Sequence, residues 1–198
     1  MKKFVCLILA LIMTIATMAL AESTPSKTTG DLTQIEVSVE NIPADSGFFM
    51  KPVVEADPVY QEKVEICQNE IVKLAESEKV EEYFSVVVDT QGNAVSLNEV
   101  LGTETLNVYE FCPVVAEQFE ENYGAVKATL RFATPYEKGE KVVVLIGLVD
   151  TEAVEDTPIV WTAFDGDVVE QGCVEAEFDA ATVLAIQEGN ALMAIASR

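Results

Sequence analysis

Hydrophobic and polar residues alternate along this chain with two periods, and the switches between them predict its elements. Ile35, Val37 and Val39 alternate with Glu36, Ser38 and Glu40, the period-two mark of a half-buried strand. Pro43 and Gly47 break that pattern. Asp57-Pro58 opens a helix, because the carboxylate can cap free N–H groups and proline suits the first helical position. Tyr60, Val64, Cys67, Ile71 and Leu74 then recur at steps of four and three, on one face, while Glu62, Lys63, Glu65, Asn69, Glu70 and Lys73 solvate the rest. Ser77 restarts a turn through Glu82. Tyr83 to Val88 is aromatic and β-branched, hence a strand, and Gly92 centres the turn after it. Ser96 to Glu99 fits a capping box that Gly102 closes. Leu106 to Val115 reads as a strand that Pro113 interrupts.

A polar stretch, Glu117 to Gly124, marks a boundary, and the β signal strengthens beyond it. Val126, Ala128, Leu130 and Phe132 alternate with Lys127, Thr129 and Arg131. Pro135 to Glu140 is a turn. Val142 to Val149 is apolar at every position except Gly147, which predicts a central strand buried on both faces. Ile159 to Phe164 carries the single tryptophan, Trp161, and Asp165-Gly166 is a hairpin signal. Val174, Ala176 and Phe178 alternate with Glu175 and Glu177. Asp179 caps a short helix that Gly189 stops, and Ala191 to Ala196 is the last strand. The expected class is α+β: an N-terminal unit with one long helix over residues 32–120, then a small antiparallel β-sandwich-like unit with one short helix over 121–198.

Ahead of these elements stands a stretch of different character. Lys2 and Lys3 precede an apolar run from Phe4 to Leu20, and Ala19-Leu20-Ala21 offers small residues at the positions a signal peptidase reads. Residues 1–21 are therefore expected to be a signal peptide cleaved near Ala21, and residues 22–31, rich in Ser, Thr and Pro, a flexible linker. The apolar run barely reaches the roughly 20 residues that span a bilayer. The expected location is extracellular, with no stable membrane insertion after cleavage.

Charge narrows the partners. The chain has 34 acidic against 12 basic residues, a net charge of -22. Such a field repels nucleic acid and anionic membrane surfaces, attracts cations, and keeps an exported protein soluble. Histidine is absent from the chain, which excludes Ser-His and Cys-His pairs and the common histidine zinc sites. A general acid or base would have to be a carboxylate, lysine, tyrosine or thiol.

With so many acids, paired carboxylates carry little information. Asp165 and Asp167 flank the expected Gly166 turn and could offer two side chains to Ca²⁺; Asp150, Glu152, Glu155 and Asp156 form a second acidic loop. A Ca²⁺ site takes about six to eight oxygens, and EF-hand spacing is absent; Asp89, Gln91 and Asn93 sit at alternate positions, but Gly92 falls early. Trp161 is either a stacking platform for a sugar or a core anchor. Phe48 and Phe49, expected in a loop, are candidate ligand contacts. Three cysteines lie beyond the leader. Cys173 alternates with Val174 and so shares the wet side with Glu175 and Glu177, as a free thiol; Cys67 and Cys112 either pair across helix and sheet or remain two buried thiols.

The run from Thr134 to Asp150, followed by Trp161, Gly172 and the stretch from Leu184 to Ser197, resembles a group of small uncharacterised secreted proteins of anaerobic Gram-positive bacteria. The resemblance covers mainly Tyr109 to Ser197 and carries no activity and no site residue with it. The expected function is a secreted, non-catalytic binding or structural module without a cofactor, meeting a protein or glycan at the cell exterior. The alternatives are a carboxylate-dependent, glycosidase-like hydrolase and a Ca²⁺-stabilised adhesion module.

Overall fold

The computed structural model describes residues 32–38, 42–43, 45–53, 57–132, 136–154 and 157–198. The leader, the linker, Val39, Glu40, Pro135, Glu155 and Asp156 lie outside them. The protein is mixed α+β and mostly β. Its strands are β1 (Leu32–Ser38), β2 (Phe49–Pro52), β3 (Val87–Val88), β4 (Asn107–Glu117), β5 (Val126–Phe132), β6 (Lys141–Leu148), β7 (Trp161–Glu170), β8 (Cys173–Phe178) and β9 (Ala191–Ser197). Helices are α1 (Gln61–Glu76), α2 (Val80–Tyr83), α3 (Leu97–Leu101) and α4 (Ala180–Glu188). Among the described residues no helix is long and apolar enough to cross a membrane.

The nine strands among the described residues join one sheet, in the order β1-β5-β8-β7-β6-β9-β4-β2, with β3 pairing off the path onto the start of β7. Every ladder is antiparallel except that of β3 with β7. The two ends of the order, β1 and β2, lie side by side, so the sheet curls into a nearly closed barrel. The expected boundary at residue 120 does not separate two sheets. β1 pairs with β5, and β4 with β9, so strands from before and after it interleave. A sandwich was expected because short alternating strands suit either architecture; long-range pairing decided between them.

Period two then sorts side chains into two cores. Val142, Val144 and Ile146 of β6 face the barrel interior, together with Met193 and Ile195 of β9 and Phe164 and Phe178, whose rings meet at 4.9 Å. Val183 and Ile186 of α4 plug that interior. Val143 and Leu145 of β6, with Leu192 and Ala194 of β9, face outward into a second core under α1, α2 and α3. β4 stays in phase with both by means of a bulge. Glu110 takes φ 53° there, and the register slips between Tyr109 and Phe111, so Val108 and Phe111 both face outward while Cys112, Val114 and Ala116 face in. The break in this strand is therefore at Glu110; Pro113 sits inside the ladder opposite Leu192.

The local signals otherwise hold. The Asp57 carboxylate accepts from Val59 N–H, but it caps a 3-10 turn (Pro58–Tyr60) that leads into α1. Ser96 caps α3, which Gly102 ends at φ 66°, and Asp179 caps α4 through Thr182 N–H at 2.7 Å. Two expectations fail. Tyr83 closes a helical turn instead of opening a strand, which shortens β3 to Val87–Val88. Asp165-Gly166 is no hairpin, since β7 runs straight through it and turns at Gln171-Gly172. Gly166 is there for room: a Cβ would lie 2.6 Å from Val142 Cγ2.

Gly147 is crowded from more sides, because a Cβ there would meet two Trp161 ring atoms and Ile159 Cγ2, each at 2.8 Å. Trp161 is fully buried and cannot yield. Gly147→Ala is expected to lower the unfolding free energy by about 1–3 kcal/mol, the cost of overpacking a filled core. Urea denaturation followed by Trp161 fluorescence checks it; an unchanged midpoint would contradict the packing described.

Candidate functional site

Where β6 leaves the sheet and β7 enters it, neither the helical layer nor the barrel interior covers the chain. The result is a groove of ≈ 1070 Å³ between α1, the β3 turn, the segment joining β6 to β7, and the start of α4. Its walls are apolar in an unusual way. Of the five large hydrophobic side chains that are exposed among the described residues, four line it: Val72 (52%), Leu148 (43%), Val154 (82%) and Val160 (52%). Elsewhere the apolar periodicity ends in burial; here it ends in water.

Acids rim this floor, and each is held by its own backbone. Asp89 Oδ1 accepts from Gln91 and Asn93 N–H at 2.8 and 2.9 Å, and its Oδ2 accepts from Asn93 Nδ2 at 2.9 Å. Those bonds, led by the Asn93 side chain, hold its carboxyl below the ordinary 3.8. Asp150 Oδ1 accepts from Glu152 N–H at 2.9 Å, and Asp179 is the α4 cap. The β6–β7 segment is tied by Thr157, whose N–H and hydroxyl both donate to Val154 C=O.

Glu70 forms a ridge between this groove and a second hollow of ≈ 330 Å³. Although it falls among the polar positions of α1, it is buried. It accepts from Lys73 Nζ at 2.7 Å and from Tyr83 hydroxyl at 3.0 Å. Burial first, and then Glu70's charge, push the Tyr83 hydroxyl well above its ordinary range and the Cys67 thiol up to about 12. With one oxygen given to a lysine and the other to a tyrosine, Glu70 ties α1 to α2. The periodicity of α1 placed it on the wet face; the signal missed was its position one turn from both Cys67 and Leu74. Glu110, buried at its bulge, was missed as well, and its charge adds to burial in raising the Cys112 thiol.

The residues expected to form sites are scattered, and several take other roles. Asp165 and Asp167 lie on the exposed face of β7, mid-strand, and flank no turn. Among the described residues no three His, Cys, Asp or Glu side chains are grouped to hold a metal ion. Trp161 is a core anchor rather than a platform, with Phe84 at 4.9 Å and Phe111 at 5.8 Å between ring centres. Its indole N–H has no acceptor among the described residues.

Phe48 and Phe49 are half-buried at and just before β2, not in a free loop. The Phe48 ring packs on Phe119 at 5.2 Å, and Phe49 packs beside Tyr60 with Lys51 Nζ over its ring. Cys67 and Cys112 are unpaired, because they belong to opposite faces of β4: Cys67 donates to Phe111 C=O from the helical side while Cys112 points inward. Cys173 does share the outer face with Glu175 and Glu177, yet it is covered. Arg131 donates to its sulfur at 3.1 Å, and Glu170 accepts from it at 3.3 Å. Compared with known proteins, the chain matches no family model, no curated protein and no solved structure.

Two outcomes follow. Iodoacetamide at about pH 8 should leave Cys67 and Cys112 unlabelled in the native protein and label them only as urea unfolds it; rapid native labelling of either would contradict their burial. The Asp57 carboxyl is also held below 3.8, first by Val59 N–H and then by Lys51. A carboxyl lowered on folding stabilises above its unfolded value and loses that contribution as pH falls through its folded value. Below about pH 4 the native protein should therefore lose stability more steeply than the double variant Asp57→Asn/Asp89→Asn, which keeps the oxygen that accepts from the backbone N–H groups and removes the titrating charge. Identical acid profiles would refute the assignment.

Proposed function

We propose that this chain is an exported, non-catalytic binding module that engages its ligand through the groove between α1, the β6–β7 segment and α4. The carrying observation is the exposure of Val72, Leu148, Val154 and Val160 along one concavity. Soluble proteins scatter exposed apolar side chains singly; a cluster marks a contact surface. Each of the four could gain at most about 1.5–3 kcal/mol from full burial, and a ligand lying along the groove would collect several such contributions at once. The volume sits at the upper end of the roughly 300–1,000 Å³ typical of small-ligand pockets, which favours an extended ligand.

The groove wall supports binding over hydrolysis. A carboxylate hydrolase needs two acids facing one bond about 5 to 9 Å apart, one of them holding a proton. The buried acid here, Glu70, spends both oxygens on Lys73 and Tyr83. Export rests on the leader, so the released protein is expected to begin near Glu22. An intact mass of the protein in the culture supernatant tests that, and a full-length chain held in the membrane fraction would contradict it.

The groove is tested with Nile red, a neutral probe that the chain's negative field does not repel. Its emission should shift to the blue on mixing with the native protein, and Leu148→Asp/Val160→Asp should abolish the shift while near-ultraviolet circular dichroism stays unchanged. A native protein that leaves the dye unaltered, or a double variant that still binds it, would defeat the proposal.

A further inference from the structure

We infer that the occupant of the groove is a cationic amphipathic peptide segment of another protein, an inference that rests on the groove being the binding surface. The argument is the charge around the apolar floor. Glu70, Asp89, Asp150 and Asp179 line the groove, and Glu76 and Glu82 line the second hollow beyond the Glu70 ridge. The one basic residue lining either hollow, among the described residues, is Lys73, and it is tied to Glu70 at 2.7 Å. An apolar strip bordered by carboxylates over two adjoining hollows is the complement of a segment that carries leucine-like side chains on one face and lysine or arginine along its margins.

Other occupants fit less well. A second copy of this chain would bring its own net charge of -22 against the first. Anionic lipid and nucleic acid meet the same repulsion. A small neutral hydrophobe would fill part of the floor and leave the carboxylates unanswered. The carboxylates that matter do not need the peptide to order them. Asp89, Asp150 and Asp179 are fixed by the N–H groups they accept from, so their charge is in place before the partner arrives.

The test uses the full chain and a fluorescent 14-residue peptide of alternating leucine and lysine pairs, about four turns of helix with one apolar face. Its counterpart replaces every lysine with glutamate. The lysine peptide should bind at least about tenfold tighter than the glutamate peptide, and salt should weaken it. Asp89→Asn/Asp150→Asn/Asp179→Asn keeps each backbone acceptor and removes three charges. It should weaken the lysine peptide about tenfold and leave the Nile red shift intact. Glu121→Gln/Asp167→Asn/Glu177→Gln removes three exposed charges that line neither hollow, and should change affinity less than about twofold. Leu148→Asp/Val160→Asp should abolish peptide binding.

Equal loss in the two charge-removing variants would mean diffuse attraction by an acidic protein and would overturn the inference. So would equal affinity for both peptides. Nile red binding without peptide binding would overturn the partner class while leaving the groove as a binding surface. Loss of both would overturn the two readings together.

Discussion

Val143 and Leu145 press outward against the helical layer while Val142, Val144 and Ile146 of the same strand press inward, and on β9 Leu192 and Ala194 oppose Met193 and Ile195 in the same way. A strand with no wet face has to be central, and two such strands side by side fix the plane from which both cores are built. Everything else attaches to that plane. The barrel curls from one side of it, with α4 as its plug, and α1, α2 and α3 lie on the other. The bulge at Glu110 lets β4 serve both cores, because it restores the phase that an unbroken alternation would carry to the wrong face.

The groove follows from where that double burial stops. Gly147 admits Trp161 against the sheet, and Trp161, the first residue of β7, is completely covered by the helical layer. One residue beyond Gly147 on β6, and one residue ahead of the start of β7, Leu148 and Val160 stand in water. The two layers diverge there, α1 on the outside and α4 at the barrel mouth, and the concavity between them is open. Groove and core are thus one sequence pattern, interrupted by the end of the sheet.

Much of this was legible in the chain. The continuous apolar run of β6 announced a central strand, the alternation in β5 and β8 announced one wet face, and Ser96 and Asp179 announced caps that formed where expected, while Asp57 caps the 3-10 turn that leads into α1. What stayed hidden depends on distant pairing. Nothing local says that β4 finds β9 across some eighty residues, so the sheet was divided at the polar stretch near residue 120. Asp165-Gly166 has turn chemistry, but Val142 across the ladder demands a glycine for space. The phase of Cys173 was readable, whereas the arm of Arg131 that covers it was not. The groove was missed because an exposed valine and a buried one look alike in sequence, and Val154 sits among acids that drew attention to themselves.

The central claim is that one sheet, shared by strands from both halves of the chain, carries two cores. Native-state hydrogen exchange across a denaturant series tests it most directly, because it assigns an opening free energy to each strand. The amides of β4, β6 and β9 should converge on one value equal to that of global unfolding. A lower, separate opening shared by residues 32–120, with β6 and β9 still protected, would contradict it.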